Sequence, residues 1–306
     1  MLGNDGWIED DSHIFGTLFY RNIFKCIQFL LAHLPFQVNL DFEPVRLPDS
    51  EGRPIYSKMN MGDWWWDTQD HLPAGATIVP VICASDMTHL TNFSDDQHVR
   101  PLYLTIGNIR NDIRRTVRKH GWTLVGLIPC PLKGAKNIDE AWHSAVGTVL
   151  SQQRHLDITG PGLKLDCADV FQQKCYPLLA VWVGYYPKQI MIAQVSYGSS
   201  PMCEISKGAP MGHSTFPPLD ISRDQPNYSE LPKDNHIDAL HTFGVHPIRN
   251  QFWQYPRCNV YRLWQPDKLH QLLLGLVNDR LHWLLKYLKP RNVKDQFDNL
   301  FTSVLL

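Results

Sequence analysis

Two aspartates close apolar runs, and carboxylates so placed could hold a divalent metal for phosphoryl transfer. Asp86 ends the run Thr77-Ile78-Val79-Pro80-Val81-Ile82-Cys83-Ala84-Ser85-Asp86, and Asp169 ends Gly162-Leu163-Lys164-Leu165-Asp166-Cys167-Ala168-Asp169. Carboxylates within about 4–6 Å of each other repel, and a divalent cation relieves that repulsion. A pair of such ions clamps the attacking and leaving oxygens of an in-line displacement at phosphorus. Such a site needs a third acid. Asp also favours strand-end turns, so both positions carry a purely structural reading as well.

Other residues suggest binding. Arg110, Arg114, Arg115, Arg118 and Lys119 place five cations in ten residues, offset by Asp112. If helical, 110, 114 and 118 share one face and suit a phosphate backbone; a solvated loop between strands is the other reading. Trp64-Trp65-Trp66 could stack unpaired bases, but such a cluster more often packs a domain edge. Asp267 and His270 would lie one helical turn apart as accessory ligands. Cys203 and Cys258 with His241 and His246 fit none of the common finger spacings, so zinc is not expected.

Those acids need elements to carry them. Apolar periodicity predicts a helix over 20–34, with Ile23, Ile27, Leu30, Leu31 and Leu34 on one face and Pro35 ending it. Strands are expected at 77–86, 101–109 and 121–128, joined closely enough for an antiparallel meander. Asn137 and Glu140 read as a capping box opening a helix that runs to about Arg154. A fourth strand over 162–169, a helix over about 170–183 and a fifth strand over 189–195 would follow. That order, β-β-β-α-β-α-β, is a ribonuclease H-like α/β mixed sheet, with Asp86 and Asp169 at the ends of its first and fourth strands.

Residues 1–76 form an N-terminal helix and irregular segment in this reading, and 77–197 form the core. Residues 198–306 form a loop-rich, mostly helical insertion whose best helix spans Asp267 to Leu288.

The formal net charge is −1 and the pI about 6.9, so any contact with nucleic acid must come from a local basic patch. The N-terminus lacks the basic–apolar pattern of a secretion signal. No run of 18 apolar residues suggests a membrane span. Seven dispersed cysteines without a CxxC pair read as reduced thiols in an intracellular compartment.

Several long stretches resemble the transposase domain of fungal Plavaka elements. They are Gly62-Asp63-Trp64-Trp65-Trp66-Asp67-Thr68-Gln69, Leu72 to Pro80, Ile82-Cys83-Ala84-Ser85-Asp86 through Ser94, Tyr103-Leu104-Thr105-Ile106-Gly107-Asn108-Ile109 and Cys167-Ala168-Asp169. Gln265 to Leu272 looks like the family's later DxxH helix. The resemblance covers about residues 17–300. It implies a CACTA-like cut-and-paste enzyme with a ribonuclease H-like fold, acting on DNA in the nucleus. It makes Asp86 and Asp169 the first two ligands of Mg²⁺ or Mn²⁺.

The departures matter too. Ser200-Pro201-Met202-Cys203 stands where the family has Cys-Pro-x-Cys, and Asp86-Met87-Thr88 where it has Asp-Lys-Thr. The family's third acid is a Glu beyond the DxxH segment, whereas the last Glu here is Glu230. The expectation is therefore a transposase-like chain with weak metal binding and no turnover. A silent DNA- or protein-binding module retained by the host is the alternative. A stand-alone metal hydrolase using Asp267 and His270 with the aspartates is a third reading.

Overall fold

The computed structural model describes residues 6–89, 98–131, 134–155, 158–168, 171–203, 246, 250–266 and 277–289. The chain divides into two compact units, Met1–Gln265 and Pro266–Leu306. The strands are β1 (Trp7–Asp10), β2 (Leu18–Arg21), β3 (Ala76–Ser85), β4 (Thr88–His89), β5 (His98–Ile106), β6 (Thr123–Pro129), β7 (Leu163–Asp166), β8 (Gln172–Gly184) and β9 (Trp264–Pro266). They form one mixed sheet ordered β1-β2-β6-β5-β3-β8-β7, with β4 on β5 and β9 on β8. The helices are α1 (Ile23–Ala32), α2 (Asp63–Gln69), α3 (Asn111–Arg114), α4 (Ile138–Val149), α5 (Tyr186–Ala193) and, in the second unit, α6 (Asn278–Leu288).

β3, β5 and β6 make an antiparallel meander, and β8 returns parallel to β3 after α4. With strands on both edges and cover on both faces, β3 is buried almost throughout, which explains its unbroken apolar sequence. Its alternate side chains feed two cores. Val79, Val81 and Cys83 join the larger one under α1 and α4, while Ala76 and Ile78 join Trp65, Tyr176 and Leu178 on the other face. The prolines of β3 and β8 fall where the ladders allow a missing N–H. The β5 ladder begins at Val81, one residue past Pro80, and the β7 ladder ends at Cys175, two before Pro177.

The meander appears as expected, and β1 and β2 extend it, so part of 1–76 is sheet. The second half of the core differs from expectation. Residues 172–184 form the long strand β8, where a helix over 170–183 was expected. Pro177 would break such a helix, and a strand covered on both faces shows no alternation to betray it. Residues 186–193 form α5, not a fifth strand, with Pro187 in the first turn where helices accept it. The predicted fourth strand shrinks to β7, which is antiparallel to β8. Asn137 precedes α4 with φ 59°, and its side chain makes no capping bond, so the predicted capping box is not formed.

Candidate functional site

Asp86 directly follows β3, at the end where β8 also finishes. Ala84 is registered with Val183, so Gly184, which ends β8, and Tyr185 just after it reach the same edge as Asp86. α5 then begins, and its first turns bring Lys188 back into the protein. The Lys188 side chain is buried, and Nζ lies 4.9 Å from the centroid of the Trp142 ring. Burial, and next Arg100, pull the amine down to about 7, against the opposing fields of Asp86, Cys130 and Asp139.

These neighbours shape one another. Asp139, in the first turn of α4, has its carboxyl raised by burial, with His246, Arg100 and Lys188 acting in the other direction. The Tyr185 hydroxyl is raised by burial and then by Asp86. The Cys130 thiol is raised by burial and opposed by Arg100 and Lys188. The Arg100 Nε is buried with no hydrogen-bond partner among the described residues. Asp86 is half-buried, and its Oδ1 accepts from the Met87 N–H at 2.8 Å. The end of the two parallel strands thus gathers two carboxylates, an amine, a guanidinium, a phenol and a thiol.

Asp169, Asp267 and His270 lie outside the described residues. The described neighbours of Asp169 can be placed. The Ala168 N–H donates to Leu31 O, and the Cys167 N–H to Phe171 O, closing the turn from β7 into β8. Lys174, near the start of β8, is registered with Ala76 at the beginning of β3, whereas Asp86 follows the end of β3. The expected adjacency of the first and fourth strand ends relied on 162–169 pairing with β3, and it is β8 that pairs there.

The 110–119 segment is α3 followed by a 3-10 turn, Val117–Lys119, so no single helix aligns 110, 114 and 118. Arg110 Nε bonds Asp41 Oδ1 at 3.3 Å. Arg114 is turned inward, and its Nη1 donates to the Ile109 carbonyl at 3.1 Å. Arg115, Arg118 and Lys119 are exposed. Trp65 is fully buried, and Arg46 sits 4.5 Å over the Trp66 ring, so most of the tryptophan triplet packs. Cys203 is half-buried, and its N–H donates to Ser200 Oγ at 3.2 Å.

Sequence reasoning missed Arg100, Asp139, Tyr185 and Lys188. Only recognition of 172–184 as a strand would have brought Lys188 to the end of β3.

Among the described residues no three His, Cys, Asp or Glu side chains are grouped to hold a metal ion. Asp86 and Asp139 share this end of the sheet with Arg100 and Lys188.

The molecule is thus a mixed α/β protein with a carboxylate and cation cluster where two parallel central strands end. The Plavaka transposase family model matches residues 10–284, and the chain belongs to that family. No curated protein matches the chain. Among the described residues no helix is long and apolar enough to cross a membrane.

Proposed function

We propose that this is a transposase-derived DNA-binding protein of ribonuclease H-like fold in which metal-dependent strand cleavage does not run. The fold reading is supported by the meander β3-β5-β6, the helix α4 and the parallel return of β8, which follow the order expected of that class. DNA as partner, and with it the nucleus, follow from family membership.

The observation that carries the absence of cleavage is the pair Arg100 and Lys188 set beside Asp139, with Asp86 also acting on Lys188. A phosphoryl-transfer metal takes its place by neutralising carboxylates, and Mg²⁺ loses its water only for several oxygen ligands. Here the Arg100 guanidinium, charged at any working pH, and the Lys188 amine while it holds its proton supply positive charge from within the protein. A divalent ion would enter against Arg100 throughout, and against Lys188 as well below about pH 7. The exposed group Arg115, Arg118 and Lys119 can meet duplex phosphates without base readout.

Labelled duplex DNA with the purified chain in Mn²⁺ tests both halves. The expected result is no nicking, with binding that weakens as salt rises at a logarithmic slope of about −2 to −3, set by three cations. Nicking that depends on metal and disappears in Asp86→Asn would overturn the catalytic half. Binding insensitive to salt would overturn the other.

A further inference from the structure

A recess of about 820 Å³ opens on the face of the sheet opposite the larger core. Its floor includes Ile82 of β3 and Val183 of β8, and its walls include Trp64 of α2, Trp122 before β6, Arg115 and Arg262. The volume lies within the roughly 300–1,000 Å³ usual for ligand sites. Trp64 and Trp122 are each half-buried, and among the described residues neither indole N–H has a protein acceptor. Arg115 and Arg262 are exposed, and neither is in an ion pair among the described residues. Two other cations of the recess are engaged: Arg114 with the Ile109 carbonyl, and Lys58 with Asp41 at 3.9 Å. The acids of the lining, Asp63 and Asp67, both belong to α2, and Asp63 accepts from the Tyr56 hydroxyl at 3.1 Å.

We infer that this recess binds an unpaired stretch of DNA, with bases against the Trp64 and Trp122 rings and phosphates on Arg115 and Arg262. An indole face and an unpaired guanidinium are the two groups that single strands use, one for stacking and one for the backbone. A duplex keeps its base faces stacked inside and has nothing to offer the rings. The acids along α2 repel phosphates, which sets the backbone on the Arg115 and Arg262 side. The inference rests on the DNA reading above and adds to it the strand state and a site separate from Arg118 and Lys119.

The test is fluorescence anisotropy of a labelled oligodeoxythymidylate with the whole chain, unlabelled duplex serving as competitor. Arg262→Ala, at an exposed position, and Trp122→Leu should each weaken single-strand binding about tenfold, as loss of one stacked base or its phosphate contact would. Trp122→Phe should keep most of the affinity. Arg118→Ala with Lys119→Ala should weaken duplex binding and leave the single strand bound. The inference falls if the native chain does not bind the oligonucleotide, or if Arg262→Ala and Trp122→Leu leave its affinity unchanged. It also falls if duplex displaces the oligonucleotide as well as unlabelled oligonucleotide does. Loss of duplex binding alone would count against the reading above and spare this one.

Discussion

The Lys188 ammonium nitrogen lies 4.9 Å from the centre of the Trp142 ring, at the end of the sheet where Asp86 leaves β3. A desolvated cation–π contact stabilises by about 2 kcal/mol, while burying an ammonium without a bound counter-ion costs several kcal/mol. The ring therefore offsets only part of the penalty, and the amine gives up its proton readily. The Trp142 ring that meets Lys188 belongs to the larger core. Trp142 stands edge-on to Trp182 at 5.6 Å, and Trp182 to Phe252 at 5.4 Å.

This sets a pH dependence. The folded amine titrates near 7, well below its ordinary value of 10.5. Below the folded value both folded and unfolded chains hold the proton, and the full burial penalty applies. Between about 7 and 10.5 the unfolded chain binds more protons than the folded one, so stability rises with pH, by at most roughly 5 kcal/mol. Lys188→Met should abolish this rise and be the more stable protein at about pH 6, with the difference shrinking toward alkaline pH. Melting temperatures of both proteins across that range check it. A difference independent of pH would mean that the amine is not buried as described.

The contrast between the two halves of the sheet explains what could be read from the sequence. The helix expected over 20–34 is present as α1, with Ile23, Ile27, Leu30 and Leu31 buried, because it lies on the surface and shows one apolar face. Leu34 belongs to the following 3-10 turn and is exposed. β3, β5 and β6 were legible because turn-rich segments separate them. β8 was not, since a strand buried on both faces has no period to distinguish it from a core helix. That single error displaced α5 and hid the Lys188 cluster.

His143 supplies a second pH effect, on the acid side. It is fully buried, and its Nε2 lies 3.0 Å from the Met191 carbonyl, to which a neutral ring donates. Burial lowers its titration from 6.5 to about 4. Between those values the unfolded chain binds the extra proton, so stability present above pH 6.5 is lost as pH falls to about 4, by up to roughly 3 kcal/mol. His143→Gln can still donate to Met191 and should flatten the acid limb of a stability–pH curve. An unchanged acid limb in that variant would assign the effect elsewhere.

Gly107 directly follows β5, and its N–H donates to the Pro80 carbonyl at 2.7 Å. A Cβ at this position would meet Met59 Sδ at 2.6 Å and Pro80 Cβ at 2.9 Å. The thioether can swing away, but the Pro80 ring is fixed in β3. Gly107→Ala should therefore destabilise by about 1–3 kcal/mol in urea unfolding. Adding Met59→Ala should recover only part of that loss, and full recovery would place the whole clash on Met59.

Arg114 and Arg118 are four residues apart and should separate stability from DNA binding. The Arg114 guanidinium satisfies the Ile109 carbonyl at 3.1 Å and lies 3.5 Å from those of Ile106 and Gly107. Burial lowers its titration, in keeping with an inward-facing side chain. Arg114→Ala leaves those carbonyls short of a donor and should cost about 2–4 kcal/mol of stability. Arg118 is exposed at the end of the short 3-10 turn, so Arg118→Ala should stay within about 0.5 kcal/mol of native. The same change should weaken duplex binding and lower the salt slope by about one, the signature of a lost phosphate contact. Urea midpoints and binding isotherms over a salt series would measure both. If Arg118→Ala leaves the slope intact, the 115–119 surface is not where the DNA backbone lies.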